Sequence, residues 1–96
     1  MQEVQLDLNE KNHGHFYIKE NDEQLAEMQV GISGADLTVY HTEVLPGHEG
    51  KGLAKQLLTA MVDYARENKL KVIPLCPYVH AQFKRHPEEY NDVWKK

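Results

Sequence analysis

The hydrophobic pattern of this chain changes its period once, at Pro46-Gly47, and that change limits the folds open to it. Before this point apolar residues alternate with polar ones; after it they recur every three to four positions. A period of two belongs to strands with one buried face, and a period near 3.6 to helices with one apolar stripe. Val4, Leu6 and Leu8 set the first strand, and Asn9-Glu10-Lys11-Asn12 supplies turn chemistry behind it. A second strand runs through His15-Phe16-Tyr17-Ile18 and closes at Glu20-Asn21-Asp22-Glu23. Leu25-Ala26-Glu27-Met28 suits a helix, but Val30, Ile32 and Ser33-Gly34 favour a third strand over Leu25 to Ile32. Leu37, Val39 and Tyr40-His41 continue as a fourth, with β-branched and aromatic content. Short turns join the four, so an antiparallel meander is expected.

Beyond the switch, Leu53, Ala54, Leu57, Leu58, Met61, Val62 and Ala65 fall on one helical stripe. Lys55, Gln56, Asp63, Arg66 and Glu67 occupy the rest of that helix, and Asn68 is expected to close it in a left-handed conformation. Leu70 to Leu75 reads as a fifth strand in which Pro74 removes one ladder donor. Pro77 suits the first turn of a further helix, about Tyr78 to His86, with Val79 and Phe83 inward. Pro87 stops it, and Glu88 to Trp94 is expected to add a short terminal helix. In 96 residues every element must join one core, so a single α+β domain over 1–96 is expected.

Composition narrows the function classes. With 41% hydrophobic and 27% charged residues the chain reads as a soluble globular protein. It has no apolar run near the roughly 20 residues a membrane helix needs. One cysteine excludes an internal disulfide and a multi-cysteine zinc site, and with no export signal a cytoplasmic location is expected. The net charge of -4 argues against nucleic acid as the main partner. It averages -7 through His48 with +3 from Glu49 onward. A basic half suits an anionic ligand and an acidic half a cationic one; chance polarisation of surface charge fits the same numbers.

The segment His48-Glu49-Gly50-Lys51-Gly52-Leu53-Ala54 joins the meander to the main helix. Its glycines leave backbone N–H groups bare at a helix N-terminus, which attracts phosphate, and Lys51 adds a cation there. A plain structural turn would use the same residues. The spacing is that of neither a P-loop nor a dinucleotide fingerprint, which needs a third glycine. Cys76, preceding Pro77, falls at a helix N-cap, where dipoles activate a thiol; a buried apolar cysteine is the other reading. Cys76 and His80, with His41 or His86, lack any established zinc spacing, and no metal is expected. His13 and His15 are expected at the surface, and His86 as a helix cap. Tyr64, Phe83, Tyr90 and Trp94 are expected in the packing rather than as a nucleic-acid platform.

The order meander, glycine turn, long helix, fifth strand, helix resembles the GNAT-type N-acetyltransferases. Their Q/R-x-x-G-x-G/A signature opens the helix after the fourth strand. Here Gly52 and Ala54 fill the small positions, and Glu49 departs from the usual Gln or Arg. His41-Thr42-Glu43-Val44, Val72-Ile73-Pro74-Leu75-Cys76-Pro77-Tyr78-Val79 and Lys84-Arg85-His86-Pro87-Glu88 look like a minimal one-domain branch of that superfamily. The resemblance implies a GNAT fold whose fifth strand splays from the fourth, with acetyl-CoA in the opening. It assigns backbone groups of Glu43, Val44 and Leu45 to the pantetheine arm. The N–H groups of Gly50, Lys51, Gly52, Leu53 and Ala54 fall to the pyrophosphate, and Lys51, Lys84 and Arg85 are the cations for the several phosphate charges of CoA. Cys76 is then placed beside the thioester, as an acyl acceptor or a proton donor. His41 is the expected base, with Glu43 on the same face as the other candidate; a structural histidine bonded to backbone is the alternative. The expected activity is acetyl transfer from acetyl-CoA to an unidentified amine, directly or through Cys76. A non-catalytic CoA or acyl-CoA-binding module is the rival reading, and hydrolysis of an acyl-Cys76 a third.

Overall fold

A computed structural model describes residues 3–96. Its elements are β1 (Val4–Leu8), β2 (His13–Glu20), β3 (Glu23–Ser33), β4 (Asp36–Val44), α1 (Leu53–Glu67), β5 (Lys71–Pro74), α2 (Pro77–Arg85) and α3 (Pro87–Tyr90). One five-stranded sheet has the order β1-β2-β3-β4-β5. The first four strands are antiparallel neighbours, and β5 lies parallel to β4. The meander is therefore as expected, and the parallel pair follows from the crossover that α1 makes between β4 and β5.

Register decides which side chains share a face. Leu6 pairs with Phe16, Phe16 with Met28, Val30 with Val39, and Leu37 with Val72, so these fall on one side. Helix α1 lays Leu57, Leu58, Met61 and Val62 against that side, and α2 adds Val79 and Phe83 to the same core cluster. Each such side chain contributes about 1.5–3 kcal/mol by leaving water. The helices leave the opposite face uncovered. It carries Asp7, His15, Tyr17, Glu27, Gln29, His41 and Glu43 in cross-strand rows. Tyr17 is buried yet lies outside the core cluster; its hydroxyl reaches Asp7 at 2.9 Å and Gln5 at 3.2 Å. The hydrogen bond to Asp7 holds the phenol above its ordinary range.

Helix α1 ends differently from the sequence expectation. Asn68 has φ -102°, and the left-handed residue is Lys69 at φ +57°. The N–H of Leu70 bonds to Ala65 O at 2.8 Å and that of Lys69 to Arg66 O at 3.3 Å, the paired bonds of a Schellman motif. Leu70 must turn back into the core, and one left-handed residue immediately before it provides that turn. Asn68 stays right-handed because its side chain donates to Tyr64 O at 2.9 Å.

The C-terminal segment also departs from expectation. Only Pro87–Tyr90 is helical. The chain then runs beside β5, with Val72 N–H bonded to Val93 O at 2.6 Å and Lys95 N–H to Val72 O at 2.9 Å. These bonds cover the outer edge of β5. Arg66 ties the segment to α1, donating to Asp92 at 2.9 and 3.2 Å and to Glu89 O at 2.6 Å. The hydrogen bond from Arg66 holds the Asp92 carboxyl below its ordinary range, against the opposing effect of burial. A lowered carboxylate stabilises the fold above its unfolded pKa, near 4, and loses that contribution as pH falls through the folded value. The pair is 41% and 58% exposed, so screening leaves it about 1 kcal/mol or less. Urea unfolding at pH 7 and pH 3 should show Asp92→Asn losing less stability to acid than the parent chain, by up to that amount. Identical acid losses would show that Asp92 adds nothing.

Candidate functional site

The last β4–β5 pair is Val39 with Pro74. Beyond it β4 runs on to Val44 while β5 ends, so the backbone of Tyr40 to Glu43 has no strand on that side among the described residues. Cys76 N–H bonds to Val39 O at 2.9 Å, which fixes the point where the two strands part. Pro74 sits at this limit because a residue without an N–H suits the place where the ladder stops.

A β-bulge sits at the same point. The β3–β4 register runs Gln29 to His41 and then Val30 to Val39, leaving Tyr40 as the extra residue. An extra residue reverses the alternation of everything after it. Leu37 and Val39 face the helices, and so do Thr42 and Val44. His41 and Glu43 consequently face the uncovered side, their side chains 56% and 65% exposed and 3.8 Å apart. Cys76 lies on the helix side at 2% exposure, its thiol donating to Thr42 Oγ1 at 3.2 Å. His41 and Cys76 thus flank the opening from opposite faces of β4. Cys76 occupies the N-cap of α2 as expected, yet its sulfur makes no cap bond to the helix.

The glycine segment follows β4 and shares a cleft with Val44, the last residue of that strand. Gly50 and Gly52 have φ +83° and +77°, which side-chain-bearing residues rarely adopt. Helix α1 starts at Leu53 with no side-chain cap and no acidic residue in its first turn. The N–H groups of its first turn therefore keep their attraction for an anion. Glu49 lines the same cleft as the helix start, its carboxylate accepting the Gly47 N–H at 2.9 Å. Lys51 Nζ lies 3.2 Å from His48 Nδ1. A cleft of about 350 Å³ connects these groups to Val44, Leu53, Ala54, Lys55 and Tyr78. Burial lifts the Tyr78 phenol above its ordinary range, and the Lys55 charge opposes the shift.

The structure brings together Val44, Gly50, Gly52, Leu53 and Ala54 from the expected donor-binding set, with Lys51 adjoining. Glu43 and Leu45 border a second cleft, of about 210 Å³, with Glu27 and Pro46. Lys84 and Arg85 are exposed in the last turn of α2, about 10 Å along its axis from Tyr78, and they are not beside the glycine turn. Lys55, Tyr78 and Thr42 are the site neighbours that sequence reasoning missed. Lys55 is the third residue of α1, and its place one turn from Gly52 is the signal available for it. Among the described residues no group of three or more His, Cys, Asp or Glu is arranged to hold a metal ion. His80 instead packs its ring edge-on to Trp94 at 5.9 Å.

An antiparallel meander, a strand pair that parts beside a glycine-lined helix start, and a crossover into β5 form one known arrangement. A family model described as GCN5-related N-acetyl-transferase matches residues 15–93. The chain belongs to this GCN5-related N-acetyltransferase family. Its GNAT fold is shared with a GCN5-like protein from Staphylococcus aureus. That solution structure is 30% identical and superposes with a TM-score of 0.70 over 95% of this chain and 87% of that one. A ribosomal-protein-alanine N-acetyltransferase from Brucella melitensis biovar Abortus 2308 has the same fold at 18% identity. It superposes with a TM-score of 0.63 over 92% of this chain and 64% of that one. Protein NATD1 of Gallus gallus and of Mus musculus is 38% identical over 47 residues, 49% of this chain. The match spans 43% of the length of these two relatives. The bulge, the parted strands and the glycine turn are thus set on a GNAT scaffold whose second sheet face carries no helix among the described residues.

Proposed function

We propose that this GNAT protein is an acetyl-CoA-dependent N-acetyltransferase. The observation that carries the proposal is the free edge of β4 beyond the end of β5, together with an uncapped, glycine-lined helix start that shares a cleft with Val44 at the end of that strand. The donor set fits CoA: free strand backbone for the amides of the pantetheine arm, and bare N–H groups with lysines for the pyrophosphate. Glu43 and Val44 stand on the strand that offers the backbone, whereas Leu45 has its N–H bonded to Leu25 O and its carbonyl to the His48 N–H. Gly50, Lys51, Gly52, Leu53 and Ala54 form the phosphate cradle. Lys55 joins Lys51 as a neighbouring cation. Bound there, acetyl-CoA supplies an acetyl group activated as a thioester.

The acceptor side is the uncovered face. His41 stands on it at the edge of the opening, with Glu43 3.8 Å away, and serves as the base that takes a proton from an incoming amine. Backbone N–H groups on the free edge of β4 polarise the acyl carbonyl. Cys76 lies on the other side of the strand, where it acts as an acyl acceptor or a proton donor.

Calorimetry with CoA and release of free thiol from acetyl-CoA across a panel of amines and peptides test the proposal. Binding together with amine-dependent thiol release is expected, with His41→Ala lowering the rate by about 10²-fold or more. Absence of CoA binding would sink the reading. Binding without thiol release for any amine would leave the protein a CoA-binding module. Intact mass after incubation with acetyl-CoA reports on the cysteine route: one added acetyl group is expected, and its persistence in Cys76→Ala would exclude that sulfur.

A further inference from the structure

Thr42 places a half-buried hydroxyl on the helix side of β4, beside the thiol of Cys76. The bulge at Tyr40 turns it toward the helices, beside Val39 and Val44 in the chain and opposite the fully buried Met28 on β3. Valine has the same shape and would fill this apolar site without a polar atom to satisfy. Among the described residues no buried side-chain nitrogen or oxygen is left without a partner, and the partner recorded for Thr42 Oγ1 is Cys76 Sγ at 3.2 Å.

The cysteine is held from three directions. Its N–H bonds to Val39 O at 2.9 Å, its carbonyl accepts the His80 N–H at 3.0 Å, and its thiol bonds to Thr42. The first two fix the backbone and leave the side chain its staggered rotamers. The third selects the rotamer that points at β4, where the two strands part. We propose that Thr42 is a positioning residue for Cys76, which holds the sulfur at the β4–β5 opening and controls its reactivity toward an electrophile. The inference rests on the reading that an acyl donor enters this opening. Threonine suits the task because its hydroxyl accepts from a neutral S–H and, by rotating, donates to the sulfur as the proton leaves. His41 has no part in this contact, since the bulge sends it to the other face.

The test needs no acyl donor. Iodoacetamide alkylates Cys76 by forming an Sγ–C bond as the C–I bond breaks; iodide leaves and the thiol proton passes to water. The rate, followed by intact mass at one pH, is measured for the parent chain, Thr42→Val and Thr42→Ser. The valine variant keeps the packing and is expected to react about tenfold more slowly, the effect of losing one hydrogen bond to a developing charge. The serine variant, which keeps the hydroxyl, is expected to stay within about threefold of the parent. Equal rates for valine and parent would overturn the proposal. So would a serine variant as slow as valine, or no alkylation in the parent chain. Calorimetry with CoA on the same three proteins separates the two readings. Loss of CoA binding by the parent chain removes the proposed function, whereas intact binding with equal alkylation rates removes only the role of Thr42.

Discussion

Gly52→Asp is expected to weaken CoA binding on the order of 100-fold while changing folding stability by no more than about 1 kcal/mol. Gly52 is the N-cap of α1 at φ +77°, and a Cβ built on it meets nothing within 4 Å. Aspartate tolerates the left-handed region better than most residues, and its charge complements the positive end of the helix. Those two effects oppose each other and are each about 1 kcal/mol. Toward a pyrophosphate the same charge is purely repulsive. At about 5 Å and an effective dielectric near 20, two unit charges repel by about 3 kcal/mol, and every 1.4 kcal/mol is a factor of ten. Calorimetry with CoA and a thermal melt read the two quantities separately. Gly52→Asn supplies the same shape without the charge and should retain most of the affinity. Unchanged CoA affinity in Gly52→Asp would mean that the phosphates do not bind at α1.

Phe83→Ala should remove about 3–5 kcal/mol, a large part of what a chain of 96 residues has to lose. Phe83 is fully buried, its ring stacked on Tyr90 at 4.9 Å and edge-on to Trp94 at 5.7 Å. It therefore joins α2 to α3 and to the terminal segment that covers β5. The cavity left by alanine opens among elements from three parts of the chain, none of which can collapse without moving another. Urea unfolding gives the number, and a loss below about 1.5 kcal/mol would show that the C-terminal layer relaxes into the space. Because Cys76 begins α2, a loosened helix should also speed the alkylation of that thiol.

Much of the fold was legible because its signals are local and repeated. The alternation at Val4, Leu6 and Leu8 and the stripe from Leu53 to Ala65 each predict an element and its buried face, and both match the structure. Leu25 to Met28 was ambiguous, since leucine, alanine, glutamate and methionine all favour helices; pairing with β2 and β4 outweighs that preference and makes β3 the longest strand. The glycine turn was readable because a left-handed backbone leaves few other residue choices. The bulge was not. Its trace is short: Leu37 and Val39 are apolar at odd positions where His41 and Glu43 are polar, and Val44 is apolar at an even one. Threonine at position 42 suits either face and leaves the slip resting on few residues. Charge is a coarser signal: Lys84 and Arg85 have the right sign for CoA phosphates, but sign carries no position, and the structure sets them in the last turn of α2, away from the glycine turn. The helix cap failed for a third reason, because Lys69 takes the left-handed conformation to return Leu70 to the core.

The bulge at Tyr40 has a consequence that is best put in genetic terms. Loss of that single codon would leave β4 able to pair with β3 in unbroken register. Side chains beyond the lesion would keep their faces: His41 would still lie opposite Gln29 and Glu43 opposite Glu27 on the uncovered side, and Thr42 opposite Met28 toward the helices. The faces would exchange only if the codon were kept and the bulge lost: Tyr40 taken into the ladder opposite Gln29 would turn His41 and Glu43 toward the helices and Thr42 out to water. A reading frame shortened by three nucleotides at that point would thus keep the acidic, histidine-bearing surface apart from the thiol, whereas a strand that absorbed the surplus residue would merge them.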